Sequence, residues 1–253
     1  MIANYHTHTW RCNHAQGTER EYIEAAIAMG LRELGFADHS PYPFSNGHVS
    51  GFRMRPDQLD DYCTTLTALR DEYAHDIAIH IGLEAEYYPD EFGRLLDLID
   101  GYPIEYLIQG QHFTFNEYDG LYAGAETRDE AVLEQYCRQV VEGQATGRYL
   151  YIAHPDLIHF VGRPKVYEKH MRAMLRALKD MNALIEFNML GFIENRNYPM
   201  PAFWRMAGEE GLRAVIGLDA HRPGHFGNAD ALKAAQEILE HNGIPLVERL
   251  QIH

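Results

Sequence analysis

Apolar positions fall into seven short blocks, each followed by a segment whose apolar residues recur at helical spacing. The first block, Ile2–His8, precedes Glu19–Met29, where Tyr22, Ile23, Ala26 and Ile27 line one face and Gly30 supplies a stop. The second strand is predicted at Arg32–Asp38. A loop rich in Pro, Ser and Gly, Ser40–Arg55, separates it from a helix that opens at Pro56 and runs to about Tyr73. The remaining strands are predicted at Ala78–Glu84, Tyr106–Gln111, Tyr149–Ala153, Ala183–Asn188 and Arg213–Leu218. Their helices are predicted near Glu91–Ile99, Arg128–Thr146, Tyr167–Met181, Pro201–Glu210 and Ala229–Asn242. A second long loop, Phe113–Glu126, follows the fourth strand.

Alternating strands and helices imply a mostly parallel sheet, because a parallel return needs a crossover. Seven such units fit a closed barrel or an open doubly wound sheet. No glycine-rich dinucleotide turn and no Walker loop follows the first strand, so nucleotide folds lose support. The long loops follow strands, which puts the elaboration on the face where barrel enzymes carry out their chemistry. One domain over residues 1–253 is expected from this even alternation and from a length that can bury one large core.

Charge and composition narrow the function. The formal net charge is −15, whereas a nucleic-acid binder needs surplus Lys and Arg to replace counterions. A small phosphorylated metabolite remains an acceptable partner, since clustered metal cations can reverse the local field. No apolar run approaches a membrane span, and the start of the chain lacks a secretory pattern. Cys12, Cys63 and Cys137 follow no pairing pattern, which suits a reducing cytoplasm.

The 15 histidines matter by position. The first strand ends in His6-Thr7-His8, with His14 in the loop beyond. The second ends in Asp38-His39, the third in Glu84, the fourth in Gln111-His112, the fifth in Ala153-His154 and the seventh in Asp219-Ala220-His221. Only the sixth, at Asn188, lacks an obvious ligand. Residues two apart on a strand project to one side, so His6 with His8, and Asp219 with His221, can each reach one cation. Imidazole with carboxylate suits Zn, Mn or Fe better than Ca or Mg. His6, His8, His14, His39, Glu84, His112, His154, Asp219 and His221 are too many ligands for one ion. Two or three divalent ions are expected, with Glu84 as the bridge. Such ions neutralise a phosphate ester, activate a water and stabilise the leaving oxygen. His75, His80, His170, His241 and His253 read as surface or helix positions. His48, His159 and His225 fall in loops that could touch substrate.

These motifs together resemble the PHP (polymerase and histidinol phosphatase) superfamily, and within it the monofunctional histidinol-phosphate phosphatases. The resemblance rests on His6-Thr7-His8 with Cys12-Asn13-His14, Gly35-Phe36-Ala37-Asp38-His39-Ser40-Pro41 and Gly82-Leu83-Glu84-Ala85-Glu86. It continues through Gly110-Gln111-His112-Phe113, Ala153-His154-Pro155-Asp156-Leu157, Glu186-Phe187-Asn188 and Gly217-Leu218-Asp219-Ala220-His221. It implies a distorted (β/α)7 TIM-like barrel and a trinuclear centre. His6, His8, Glu84 and Asp219 would hold one ion, Glu84, His112 and His154 a second, and His14, His39 and His221 a third. Catalytic roles would fall to Glu84, His39 and Asp219. Asn4 stands where the family often has Asp, at a position that supports the ligands. Arg196 matches the family's phosphate-binding Arg after the sixth strand, with Arg163 and Arg53 as further candidates. The implied reaction is hydrolysis of L-histidinol phosphate to L-histidinol and inorganic phosphate. Another phosphomonoester, a cyclic phosphodiester or an oligonucleotide end is the alternative. A homodimer is compatible with the helical exterior. A domain that had lost catalysis should show gaps among the nine ligands, and none is seen. An amidohydrolase should carry a Lys at a strand end, and none is predicted there.

Overall fold

A computed structural model describes residues 1–252, so His253 lies outside the described residues. Seven strands form one sheet in the order β1 to β7: Ala3–Asn4, Glu33–His39, Ala78–Ala85, Tyr106–Gly110, Tyr149–Ala153, Leu184–Asn188 and Arg213–Gly217. Every neighbouring pair is parallel. Beyond the formal strands, Thr7 bridges Ala220, with His8 N–H donating to Ala220 O at 2.9 Å and Ala220 N–H to His6 O at 3.2 Å. This bridge joins the first strand to the last and turns the sheet into a nearly closed barrel, the closed one of the two expected architectures.

Helices α1 to α5 span Glu19–Met29, Leu59–Glu72, Phe92–Ile99, Glu130–Ala145 and Pro164–Asp180. Helices α6 to α8 span Met189–Ile193, Pro201–Glu209 and Ala229–His241. Most bounds lie within three residues of those expected from periodicity. Two differences have local causes. The first strand was expected to run Ile2–His8, yet regular pairing stops at Asn4. The Asn4 side chain donates to His6 O and Thr7 Oγ1 and accepts from Leu218 N–H, so it takes over contacts a ladder would make. Helix α6 was not expected. Asn188 caps it by accepting from Gly191 N–H at 2.9 Å, in a segment too short to show helical periodicity.

Period-two alternation divides the strand residues between two apolar clusters. Leu34, Phe36, Leu83, Ala85, Leu107, Ile152, Ile185, Phe187 and Ile216 join the large layer between sheet and helices. Tyr5, Ala37, Tyr106, Ile108, Tyr151, Ala153 and Val215 form a smaller cluster inside the barrel. Tyr106 fills its lower part and donates to Tyr5 O at 2.9 Å. Only glycine fits opposite that ring, since a Cβ on Gly82 would stand 2.5 Å from it. Val247, Leu250 and Ile252 pack beneath the same cluster. The alternation that sends Leu83 and Ile185 outward sends Glu84 and Glu186 inward, above this apolar floor.

Trp204 of α7 is 1% exposed and lies 4.9 Å from the Phe187 ring of β6. Trp204→Ala should cost about 3–5 kcal/mol through lost burial and the cavity left behind. Equilibrium urea unfolding measures it, and a loss below about 1 kcal/mol would contradict the packing described.

Candidate metal centre

The strand ends deliver all nine expected ligands to one mouth. The β2–β3 register pairs His39 directly with Glu84. Gly110 clears the space that Glu84 occupies, for a Cβ there would fall 1.9 Å from Glu84 Oε1. His154 and Asp219 take left-handed backbone conformations, with φ of 31° and 50°, just past β5 and β7. Such torsions cost on the order of 1–3 kcal/mol each and persist where surrounding structure imposes them, often at functional sites.

Glu84 stands in the middle. Its Oε1 lies 2.8 Å from His154 Nε2 and 3.6 Å from His112 Nε2. Its Oε2 lies 3.0 Å from His39 Nδ1 and 3.5 Å from both His6 Nε2 and His8 Nε2. Asp219 Oδ1 is 3.4 Å from His6 Nε2 and 3.0 Å from His8 Nε2. On the outer side His14 Nε2 and His221 Nε2 approach to 3.0 Å.

These separations test whether cations fit. A tetrahedron with bonds of about 2.0–2.1 Å has ligand–ligand edges of roughly 3.3 Å. The observed edges straddle that value. His39 Nδ1, Glu84 Oε2 and Asp219 Oδ1 are buried in this cluster without a hydrogen-bond partner. Orphaned buried polar atoms are rare in a folded protein unless something else satisfies them. Triads His6–His8–Asp219, His6–Glu84–His154, His8–His39–Glu84 and His14–His39–His221 each present ligand atoms within 4.8 Å of one another. The residues therefore fit more than one divalent cation.

A second ring of acceptors fixes the imidazoles. Glu186 Oε1 meets His6 Nδ1 at 2.8 Å, Glu86 Oε1 meets His112 Nδ1 at 2.9 Å, and Asp38 Oδ1 meets His8 Nδ1 at 3.3 Å. Backbone carbonyls of Cys12 and Asp219 do the same for His14 and His221. Each ring then turns its other nitrogen inward, the arrangement that orients metal-binding histidines. Asn188 Nδ2 donates to Glu186 Oε2 and to Asp219 Oδ2. Strand β6, the strand without a ligand, thus positions the ligands of its neighbours. Glu186 and Glu86 went unassigned in the sequence, although strand alternation places Glu186 inside the barrel.

Protonation follows the same layout. Burial alone would lower His6, but the carboxylates of Glu186, Asp219 and Glu84 outweigh it and lift it to about 10. His8 and His112 are also raised by their carboxylates against burial. His14 is lowered to about 4 by burial and by His221. Burial would raise Glu84, yet the imidazoles of His112, His6 and His39 hold it well below the usual carboxylate range. Protons here occupy places that a cation would take.

Above the ligands opens a cavity of about 530 Å³. Its walls include Phe52, Phe113, Tyr122, Tyr198, Glu194, Arg196, Arg222 and His225. Of the three expected phosphate-binding arginines, Arg196 alone lines it. Arg53 is buried and spent: it donates to Glu86 at 3.0 and 3.1 Å, to Glu117 at 2.8 Å and to Ser40 O at 3.2 Å. It braces Glu86, and through it His112, rather than meeting phosphate. Arg163 is exposed at the start of α5, in a separate groove with Arg128 and Glu130. Arg222 and Tyr122 were not singled out from the sequence, because a loop residue's direction depends on the fold of the loop. His225 reaches the cavity, as a loop histidine could. His48 instead pairs with Glu117 at 3.2 Å, and His159 is not among the cavity's lining residues. His75 and His241 are exposed; His80 sits on β3, and His170 bonds Glu130 at 2.9 Å.

A barrel whose strand ends converge on paired imidazoles and carboxylates is the architecture of a metal-dependent hydrolase. The chain belongs to the PHP domain family, whose model matches residues 4–190. A relative from Deinococcus radiodurans, named "probable histidinol-phosphatase", is 32% identical over 94% of this chain and 94% of its own length. A histidinol-phosphatase from Bacillus subtilis is 26% identical, covering 88% of this chain and 95% of its own. The crystal structure of a histidinol phosphate phosphatase from Lactococcus lactis, complexed with zinc, L-histidinol and phosphate, superposes with a TM-score of 0.75. It is 19% identical and covers 97% of this chain and 95% of its own.

Two outcomes follow from the ring of acceptors and the raised imidazoles. A raised histidine keeps its proton until pH passes its folded value, so at any pH below about 10 a cation must displace the proton from His6. Metal affinity should therefore rise with pH across that window, with protons released. Isothermal titration of Zn²⁺ at pH 7 in two buffers of different ionisation heat measures the release, and equal heats would contradict it. Glu186→Gln should weaken metal affinity about 10–100-fold while leaving the far-UV dichroism intact. Unchanged metal retention in a dialysis series would contradict the positioning role.

Proposed function

We propose that this chain hydrolyses L-histidinol phosphate to L-histidinol and inorganic phosphate with two or three divalent cations, Zn, Mn or Fe. The observation that carries the reading is the buried, unpartnered set of ligand atoms around Glu84. The 32% identical relative with the same named activity supports the substrate. On this reading His6, His8, Glu84 and Asp219 hold one cation, Glu84, His112 and His154 a second, and His14, His39 and His221 a third. Bound there, the cations supply charge neutralisation, an activated water near neutral pH and stabilisation of the leaving oxygen.

The chain's own residues supply binding and orientation. Arg196 has five N–H donors and spends three, two on Glu194 and one on Tyr198 Oη at 3.1 Å. The other two are free for the outer phosphate oxygens. Tyr198 lies 5.7 Å from the His154 ring, so Arg196 stands one tyrosine beyond the ligands. Arg222 offers a second cation on the cavity wall. Phe52 and Phe113 stack at 5.8 Å, and Phe113 meets Tyr122 at 5.6 Å. This aromatic wall fits a flat imidazole and keeps water from that side. Glu84, His39 and Asp219 face the reacting centre. The leaving alcohol draws its proton from a histidine or the aspartate beside the outer ligands. Buried free thiols at Cys12, Cys63 and Cys137 agree with work in a reducing cytoplasm. Among the described residues no helix is long and apolar enough to cross a membrane.

Phosphate release from L-histidinol phosphate should exceed that from sugar phosphates, nucleotides and cyclic diesters. A preference for any of these by about 100-fold in kcat/KM, roughly 2.7 kcal/mol, overturns the assignment. Asp219→Ala and His112→Ala should lose both turnover and bound metal. Arg196→Ala should keep its metal and lower kcat/KM by about 10–100-fold, the worth of a charged hydrogen bond.

A further inference from the structure

The alcohol half of the proposed substrate carries an ammonium on the carbon beside the ester carbon, so the cavity should answer it with a carboxylate. Three carboxylates line the cavity: Glu84, Asp219 and Glu194. The first two face the histidines and are committed to the centre. Glu194 is left, and its pairing leaves one oxygen open. Both Arg196 contacts, from Nε at 2.9 Å and Nη2 at 2.7 Å, go to the same oxygen, Oε2. No hydrogen bond reaches Oε1 among the described residues. The two side chains are 39% and 40% exposed, so the pair is weak enough to reorganise around a ligand.

Order along the cavity wall supplies the second argument. His154 is followed by the Tyr198 ring, Tyr198 by Arg196, and Arg196 by Glu194. A phosphate drawn between the ligands and Arg196 would set the ester carbon, then the ammonium-bearing carbon, progressively further from the centre. Glu194 is the next carboxylate along this series of contacts. On an Arg196 neutralised by phosphate, Glu194 loses part of its partner's charge and gains the substrate's.

We propose that Glu194 is a specificity residue that recognises the cationic amine of the substrate through its free Oε1. The inference rests on the substrate reading above. It makes the cavity selective for phosphomonoesters bearing an ammonium next to the ester carbon over isosteric esters without one.

The test compares L-histidinol phosphate with its desamino analogue, imidazolylpropyl phosphate, on the wild-type chain, Glu194→Gln and Glu194→Asp. The wild type should favour the amine by about 10–100-fold in kcat/KM, the worth of a hydrogen bond between charged groups. Glu194→Gln, which keeps size and an acceptor for Arg196, should collapse that ratio through KM. Glu194→Asp should restore part of it. An equal change on both substrates would mean that Glu194 only braces Arg196, and overturns the inference while leaving the substrate reading intact. Failure of the wild type on both, with release from some other ester, overturns the substrate reading and this inference with it.

Discussion

A carboxylate buried at the barrel axis is the constraint on which the rest depends. Glu84 is 1% exposed, and an ionised group taken so far out of water must be compensated or it neutralises. Five imidazoles surround it within 3.6 Å. Imidazoles alone are an incomplete answer, because each must then hold a proton in a crowded, dry place. Burial, with His8 and His112, pushes His39 well below its ordinary value. Cations resolve the conflict, since one divalent ion satisfies several neutral imidazoles and a carboxylate at once.

That demand reaches outward through the fold. Gly110 exists as glycine because Glu84 needs its space, and Gly217 because Glu186 needs the same, a Cβ there falling 1.7 Å from Glu186 Oε1. Arg53 is buried because Glu86, which holds His112, itself requires a partner. Tyr106 and Tyr151 belong to the apolar cluster below the ligands. The left-handed torsions at His154 and Asp219 are held by what surrounds them: Glu186 accepts from His154 N–H, and Asn188 donates to the Asp219 carboxylate. Local strain and long-range hydrogen bonding are thus two ends of one arrangement.

Much of this was legible in the sequence, for reasons that also mark the limit. Strand and helix periods differ, so seven βα units could be counted, and chemistry at strand ends could be seen before any geometry. Strand β1 ended early because a side chain, Asn4, does what backbone usually does, and no periodicity records that. Glu186 was quoted in a motif but given no role, because its partner, His6, lies 180 residues away in the chain. Arg53 misled because an arginine in a loop reads as a surface charge free for a ligand. Its burial depends on Glu86 and Glu117, from two other segments, meeting it. Arg196 does line the cavity, three residues beyond the short helix α6 that follows β6.

The acidity of the chain gains meaning at this point. A net charge of −15 opposes any polyanion that must lie along the surface. A small monoester inside a cavity of about 530 Å³ experiences a different field. Screening confines it to charges within about 8 Å, and there it meets Arg196, Arg222 and the cations the ligands fit. The mouth thus gathers positive charge on a chain that is acidic overall. The aromatic wall and the carboxylate of Glu194 are the contacts left to distinguish among small esters.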